Sequence, residues 1–218
     1  MHLENIAVLG STGSIGTSGL DVIAKFSDRF KVCALSTNTN VELLHKQAKI
    51  FKPEAVCITD GKKVREFSNF VSQNFKKITV YQGSDGLCRM IEDIRVDAIL
   101  MGIVGSSALL PILTALSKVK KIALANKEAL VMAGGIIMNK AARNNVAIVP
   151  VDSEHSAILQ CIRSSDRKDL RKIFLTGSGG PLLKVEKAMF KDITVKQAIN
   201  HPRLKMGKKI SVLCYDDE

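Results

Sequence analysis

Two carboxylates separated by a single residue, Asp152 and Glu154, follow the apolar run Val146–Val149 and a proline. In an extended or turning segment, side chains two residues apart can point the same way. Both carboxylates could then hold one hard divalent cation through oxygen ligands, with positions left open. The same Asp-Ser-Glu sequence is also a good helix start, and spacing alone favours that alternative.

Two further polar clusters follow apolar runs. Asn126, Lys127 and Glu128 come directly after Ile122–Ala125, at the carboxyl end of a predicted strand, where open α/β sheets bind ligands. The alternative is a helix start without a ligand. Asn126 would cap the helix, Glu128 would interact favourably with the helix dipole, and Lys127 would face solvent. Ser178 lies among three glycines, which fits a phosphate cradle or, alternatively, a mobile loop.

A glycine turn near the start of the chain is the third candidate site. The apolar run Ile6–Leu9 meets glycines at Gly10, Gly13 and Gly16, and an amphipathic pattern begins within the turn at Ser14. This order predicts a strand, a tight turn and a helix whose free N–H groups attract an anion such as a pyrophosphate. The spacing differs from the commonest dinucleotide fingerprint, so a junction without a ligand stays open.

The segment after the second predicted strand bears on the choice of cofactor. The strand Lys31–Thr37 leads into Thr37-Asn-Thr-Asn40, where NAD-binding proteins commonly place an acidic residue on the ribose 2′-hydroxyl. Because no carboxylate is present to repel a 2′-phosphate, the segment favours NADP. A capped turn that begins the next helix at Thr39 or Asn40 is the alternative.

The elements that must position these clusters alternate along the chain. Apolar runs separated by helical patterns continue to residue 149, which predicts a doubly wound, Rossmann-like parallel sheet in an α/β protein. Beyond it we expect a helix over Glu154–Ile162, a strand over Arg171–Thr176 and a helix over Phe190–Ile199.

Composition bounds the class of protein. The chain has 218 residues, 46% of them hydrophobic, which suits one full domain and part of another. No run of about 18 apolar residues predicts a membrane span, and no signal peptide is expected. Five scattered cysteines indicate a reducing, cytoplasmic compartment, and Cys33, Cys57, Cys88 and Cys161 are expected to be small core residues.

The charge of the chain is strongly positive. The formal net charge is +11, but the basic pairs are dispersed, aromatic residues make up 5% and there is no Trp. A nucleic-acid partner is therefore not expected, since no stacking platform or recognition motif accompanies the charge. Phosphorylated small molecules explain the positive potential equally well.

Six motifs, in the same order along the chain, resemble one family, the 1-deoxy-D-xylulose 5-phosphate reductoisomerases. They are GSTGSIG (Gly10–Gly16), LDV (Leu20–Val22), ANKE (Ala125–Glu128), PVDSEH (Pro150–His155), LTGSGGP (Leu175–Pro181) and HP…MGKKIS (His201–Ser211). The resemblance implies a divalent metal ion (magnesium, manganese or cobalt) that assists rearrangement of a phosphorylated sugar. It also implies NADPH, which reduces the product to 2-C-methyl-D-erythritol 4-phosphate in non-mevalonate isoprenoid synthesis. The family is typically a homodimer.

The resemblance also assigns site residues. It implies NADPH contacts at Thr12, Gly13, Ser14, Ile15, Asn38, Asn40, Asn126, Glu128 and Gly207. It implies substrate contacts at Lys127, Ser153, Glu154, Ser178 and His201, and metal ligands at Asp152 and Glu154. Lys127, Asp152 and Glu154 are then the catalytic residues.

The domain expectations follow from the same resemblance. Residues 1–150 should form the NADPH-binding domain, and residues 151–212 should begin a second α/β, catalytic domain. After Val212 the family continues with phosphate ligands and a third metal carboxylate, whereas this chain reads Leu213-Cys-Tyr-Asp-Asp-Glu218. A shifted reading frame of the family segment can encode these six residues, so we interpret 213–218 as a frameshifted tail. Only two of three carboxylates would remain, which predicts a truncated enzyme with weak activity or none.

Two other functions remain open at this point. An aspartate-semialdehyde-type dehydrogenase opens with a similar glycine turn and would need a nucleophilic cysteine near a histidine. Cys161 and His155 lie two turns apart on a predicted helix, which makes this reading weak. A non-catalytic dinucleotide-binding module would bind cofactor without any dependence on metal.

Overall fold

Seven parallel strands form one sheet in the computed structural model, which describes residues 3–65, 67–68, 78–163, 166–174, 181–182 and 185–200. The strand order is β4-β3-β2-β1-β5-β6-β7. The strands are β1 Glu4–Leu9, β2 Phe30–Thr37, β3 Ala55–Ile58, β4 Thr79–Gln82, β5 Ala98–Met101, β6 Lys121–Leu124 and β7 Ala147–Pro150. The predicted parallel sheet is therefore confirmed.

Five of the described helices lie between successive strands, as parallel pairing requires, and two follow β7. They are α1 Ser14–Lys25, α2 Val41–Phe51, α3 Gly83–Asp93, α4 Leu109–Ala115, α5 Glu128–Arg143, α6 Ser153–Arg163 and α7 Val195–Ile199. The helical segment between β5 and β6 begins as a 3-10 turn over Gly105–Ala108 and then continues as α4.

Two apolar cores, one on each face of the sheet, explain the layer order. In β1, Ala7 and Leu9 belong to the core that α3, α4 and α5 cover, whereas Ile6 and Val8 belong to the core that α1 and α2 cover. Successive strand side chains point to opposite faces. A strand that is apolar at every position therefore needs helices on both faces, and the fold is doubly wound.

The chain divides into two compact units, residues 1–166 and residues 167–218. In the second unit, the strand predicted over Arg171–Thr176 is wrong for its described part: residues 171–174 are exposed and carry no strand. The helix predicted over Phe190–Ile199 is split into a 3-10 turn, Lys187–Asp192, and α7. Thr194 causes the break, because it is extended and caps α7.

No helix in the described part of the chain is both long and apolar enough to cross a membrane.

Cysteine reactivity should separate the core thiols from the surface thiol. Cys33 and Cys57 are buried, and burial raises the pKa of each thiol to about 12. Cys161 is exposed, which corrects its prediction as a core residue. Because the thiolate is the reactive form, we expect a maleimide to label Cys161 quickly at neutral pH and the two buried thiols only after unfolding. Peptide mapping by mass spectrometry measures this, and fast native labelling of Cys33 or Cys57 would contradict the burial.

Candidate cofactor and metal site

The strand order reverses direction at β1, which lies between β2 and β5. A cleft of about 420 Å³ opens there, at the carboxyl ends of the strands. This is the position at which open α/β sheets bind their ligands. The lining residues are Gly10, Thr12, Gly13, Ser36, Thr37, Asn38, Thr59, Ser84, Leu87, Gly102, Ile103, Val104 and Ser107.

The glycine turn forms the floor of this cleft, and two of its glycines are required by geometry. Gly10 has a φ of +79°, and a Cβ there would lie 2.8 Å from the carbonyl carbon of Gly102. A Cβ on Gly16 would overlap the Gly10 carbonyl oxygen and the Ser11 backbone. The predicted tight turn is therefore present, and Gly16 is required because the backbone of the turn itself passes close to it.

Two of the four predicted pyrophosphate-binding residues, Thr12 and Gly13, line the cleft. Ser14 and Ile15 begin α1, and Ser14 is exposed. The first N–H groups of a helix have no acceptor within the helix, and the helix dipole is positive there. The arrangement can therefore bind an anion.

Two side chains at the end of β2 form hydrogen bonds to the glycine turn. Ser36 and Thr37 are buried; the Ser36 Oγ accepts from the Gly10 N–H at 2.9 Å. Thr37 Oγ1 and Thr12 Oγ1 share a hydrogen bond of 2.6 Å. The hydroxyls of Ser36 and Thr37 therefore hold the glycine turn against β2 and stabilise the turn.

The two asparagines predicted near the cofactor occupy different positions. Asn38 lines the cleft, and its Oδ1 accepts from Thr59 Oγ1 at 3.0 Å. Asn40 caps α2, with its Oδ1 accepting from the Leu43 N–H at 3.1 Å. The capped-turn alternative therefore describes Asn40 well. No carboxylate is among the described residues that line the cleft.

Asn126 is buried and holds two segments together. Its Nδ2 donates to the carbonyl oxygens of Ile103 at 3.0 Å and Gly105 at 2.9 Å, and its Oδ1 accepts from the Ala129 N–H at 2.8 Å. Both amide protons are therefore used within the protein. The side chain clamps the loop after β5, which lines the cleft, to the first turn of α5, where Glu128 is half-buried.

The carboxylate pair lies where the chain leaves β7. Asp152 precedes α6, and Glu154 lies in its first turn, where the Ser153 Oγ donates to Glu154 Oε2 at 2.7 Å. Asp152 Oδ2 is 3.6 Å from Lys127 Nζ, so the ends of β6 and β7 bring these two predicted residues together. Asp152 and Glu154 therefore both begin helix α6 and form the candidate cation site.

The carboxyl of Asp152 is held in its ionised form. Partial burial raises its pKa, but the backbone N–H of His155 and the charges of Lys127 and His155 outweigh burial and lower the pKa below its usual value. An ionised carboxylate is the form that a cation requires. Within the described residues, no group of three or more His, Cys, Asp or Glu side chains could hold a metal ion. The pair is thus an incomplete set of ligands.

Three predicted residues, Ser178, His201 and Gly207, lie outside the described residues, as does the tail 213–218. Two residues near the turn were not predicted. Gly102 lies beneath Gly10, and Gln47 bonds to the turn from α2. The sequence does mark both residues. Gly102 ends an apolar run, and Gln47 is a polar residue within an apolar helix pattern.

The sheet, the reversal at β1 and the glycine turn together define a doubly wound α/β protein of the Rossmann type. The family model described as 1-deoxy-D-xylulose 5-phosphate reductoisomerase matches residues 6–134, and the model of that family's C-terminal domain matches residues 148–214. The chain belongs to the 1-deoxy-D-xylulose 5-phosphate reductoisomerase family, as the motifs predicted.

Relatives with this activity in their names cover the same region. The chain is 43% identical over 211 residues to the reductoisomerase of Thermoanaerobacter pseudethanolicus, across 96% of this chain and 54% of that protein. It is 44% identical over 207 residues to that of Ruminiclostridium cellulolyticum, across 95% and 53%. The chain therefore spans about half the length of the relatives that it matches.

Solved structures agree in fold. The reductoisomerase from Zymomonas mobilis in complex with NADPH has a TM-score of 0.85 at 34% identity, covering 92% of this chain and 52% of that chain. A DOX-P reductoisomerase in complex with NADPH, fosmidomycin and magnesium has a TM-score of 0.84 at 34% identity, covering 94% and 53%. The fold of this chain is thus the fold of the corresponding part of those enzymes.

Proposed function

We propose that the whole protein is an NADPH- and divalent-metal-dependent 1-deoxy-D-xylulose 5-phosphate reductoisomerase, whose product is 2-C-methyl-D-erythritol 4-phosphate. The described part of this chain would supply the NADPH cleft and two metal-binding carboxylates. One observation carries the proposal: the glycine-turn cleft and the Lys127–Asp152 pair lie at the same carboxyl edge of one parallel sheet. A cofactor in the cleft and a substrate at the pair would therefore approach each other from neighbouring strands.

The residues of the cleft fit NADPH. Backbone N–H groups at the start of α1 suit its pyrophosphate, since Gly10 and Gly16 keep side chains out of the turn. Asn38 at the end of β2 is uncharged, so the 2′-phosphate meets no repulsion there. NADPH supplies the hydride for the reduction when it is bound. The proposed contacts of Asn40, Asn126 and Glu128 belong to the same site.

The donor set after β7 fits a hard divalent cation such as magnesium, manganese or cobalt. Asp152 and Glu154 offer carboxylate oxygens, the ligands such ions prefer. Asp152 is already ionised and partly buried. A bound cation would supply Lewis acidity toward the oxygen atoms of the substrate.

The chain's own side chains have distinct tasks in this proposal. Lys127, with its ammonium exposed at 3.6 Å from Asp152 Oδ2, would stabilise negative charge on a substrate oxygen. Ser153 donates to Glu154 and would fix the orientation of that carboxylate while contacting the substrate. Ser178 and His201 would bind the rest of the phosphorylated sugar, and Gly207 would contact the cofactor.

Assembly and compartment are also proposals. We infer a homodimer from the family resemblance, which sedimentation of the whole protein tests. The cysteines in the described part of the chain are free thiols, which supports a reducing, cytoplasmic compartment. The proposed domain division near residue 150 is supported by the two family models, of which one ends at residue 134 and the other begins at residue 148. The compact units of the structure divide later, at residue 166, because α6 packs against β7.

The experiment follows the loss of reduced nicotinamide absorbance when the whole protein meets 1-deoxy-D-xylulose 5-phosphate, with and without magnesium. We expect consumption of NADPH that needs both the substrate and the metal. Calorimetry on the 218-residue chain measures NADPH binding separately. Cofactor binding that neither metal nor substrate affects, together with no turnover, would favour a non-catalytic dinucleotide-binding module instead.

A further inference from the structure

A glutamine buried in α2 bonds directly to the glycine turn. Gln47 is 5% exposed and shares a helix face with the buried residues Leu44 and Ala48. A buried carboxamide costs free energy unless both of its ends are hydrogen-bonded. Gln47 is therefore a polar group in an apolar stripe, and its partners explain its presence.

Both ends of the Gln47 carboxamide bond to one residue, Ser11, which lies 36 positions earlier in the chain. Gln47 Nε2 donates to the Ser11 carbonyl oxygen at 2.8 Å, and Gln47 Oε1 accepts from Ser11 Oγ at 2.7 Å. The orientation of the amide follows from chemistry, since a carbonyl oxygen can only accept and must therefore face the NH₂ group.

Ser11 is fixed from the other side by β2. Its N–H donates to the carbonyl oxygen of Ser36 at 2.8 Å, and its Oγ is 3.1 Å from the same oxygen. The hydroxyl has one proton, and Gln47 is the nearer acceptor. The peptide groups on both sides of Ser11 are thus oriented by partners outside the turn, and Gln47 holds the one that leads to Thr12.

The Ser11 carbonyl belongs to the turn and not to helix α1, which begins at Ser14 with Gly13 as its N-cap. It therefore lies outside the hydrogen-bond ladder of the helix. Gln47 Nε2 gives this oxygen a donor. Gln47 thus orients a peptide group in the segment that leads into the helix.

We propose that Gln47 is a positioning residue for the dinucleotide: it orients the Ser11–Thr12 peptide and the N–H donors of the turn, and it does not touch the ligand. The inference rests on the proposed function, because it presumes NADPH in the cleft. Gln47 is buried and is not among the residues that line the cleft. Its effect must therefore act through Ser11.

The test compares Gln47→Met with a matched control on the same helix, Leu44→Ala. Met keeps the length and apolar packing of the side chain but removes both hydrogen bonds, whereas Leu44→Ala removes core packing and leaves Ser11 bonded. Each folded variant is titrated with NADPH and with adenosine 2′-monophosphate, which lacks the pyrophosphate. Denaturant unfolding measures the stability of each chain.

We expect Gln47→Met to weaken NADPH binding by about tenfold or more and to change the affinity for the monophosphate by less than about twofold. Leu44→Ala should lower stability without this selective loss. Where Gln47→Met does not fold, Gln47→Leu is measured by the same criteria, since it also removes both hydrogen bonds and is apolar like its neighbours on the helix face.

The contrary outcomes are distinct. Near wild-type NADPH affinity in the Gln47 variant, or an equal loss for both ligands, would overturn the positioning role and leave the proposed function standing. A wild-type chain that binds no NADPH would overturn the proposed function and the role of Gln47 with it.

Discussion

Gly10→Ala is expected to abolish measurable NADPH binding and to lower the free energy of unfolding by about 3 kcal/mol. The residue has a φ of +79°, which a side chain disfavours, and its Cβ would lie 2.8 Å from Gly102. The backbone cannot move aside cheaply, because the Gly102 N–H donates to the Leu9 carbonyl oxygen at 2.8 Å. Denaturant unfolding and calorimetric titration with NADPH measure the two effects.

Gly135→Ala is the matched control. Gly135 lies in α5, where an added Cβ would meet nothing within 4 Å. Alanine is the better helix former, so this variant should be equally stable or more stable by about 0.5–1 kcal/mol, with unchanged NADPH affinity. Wild-type NADPH affinity in Gly10→Ala would show that the geometry of the turn is not what binds the cofactor.

Asp152→Asn is expected to reduce the metal-dependent turnover of the whole protein by about a thousandfold. The amide removes the negative charge that attracts a divalent cation and the ionic partner of Lys127, 3.6 Å away. The shape of the side chain is unchanged. Steady-state NADPH consumption across a magnesium titration measures the loss, and NADPH affinity should stay near that of the wild type.

The control for charge is Asp28→Asn. Asp28 is exposed in the turn before β2, at the amino edge of the sheet and therefore opposite the site. The same chemical change there should leave both turnover and the magnesium dependence unaffected. Equal losses in the two variants, or no loss in Asp152→Asn, would remove Asp152 from the proposed metal site.

The sheet could be predicted because its strands carry runs of consecutive apolar residues, such as Ile6–Leu9 in β1 and Ile122–Leu124 in β6. In β1 both faces are covered, so Ile6, Ala7, Val8 and Leu9 are all buried, and continuous hydrophobicity marks the strand. An apolar pattern is a weaker guide in α2, where Ile50 is apolar but 69% exposed. Periodicity identifies a helix face, but tertiary packing decides which of its residues are covered.

Prediction failed where the pattern was short and local caps decided the outcome. The apolar residues of 171–174 have no strand pairing in the described structure, and hydrophobicity alone does not supply a partner. At Thr194 a capping box with Gln197 starts a new helix, although the apolar spacing continues across it. A capping signal of this kind outweighs periodicity over one turn.

The candidate site, like the fold, could be predicted from the sequence only in part. The glycine turn was predictable because only glycine fits at residue 10, so the sequence shows it directly. The apolar strand before the turn places it at the carboxyl edge of the sheet, where ligands bind. The helix cap of Asn126 was predicted and is confirmed by its bond to the Ala129 N–H. Its clamp on the loop after β5 and the role of Gln47 were not predictable, since both bonds reach segments more than 20 residues away. Such side chains reveal themselves only as polar residues in apolar surroundings.

The most direct test of the account is calorimetric titration of the 218-residue chain with NADPH and, in parallel, with NADH. The cleft has no carboxylate among its described lining residues, and the start of α1 is free for a pyrophosphate. The account predicts that NADPH binds with one site per chain and that NADH binds at least about tenfold more weakly. Absence of NADPH binding by the folded chain, or equal affinity for the two cofactors, would contradict it.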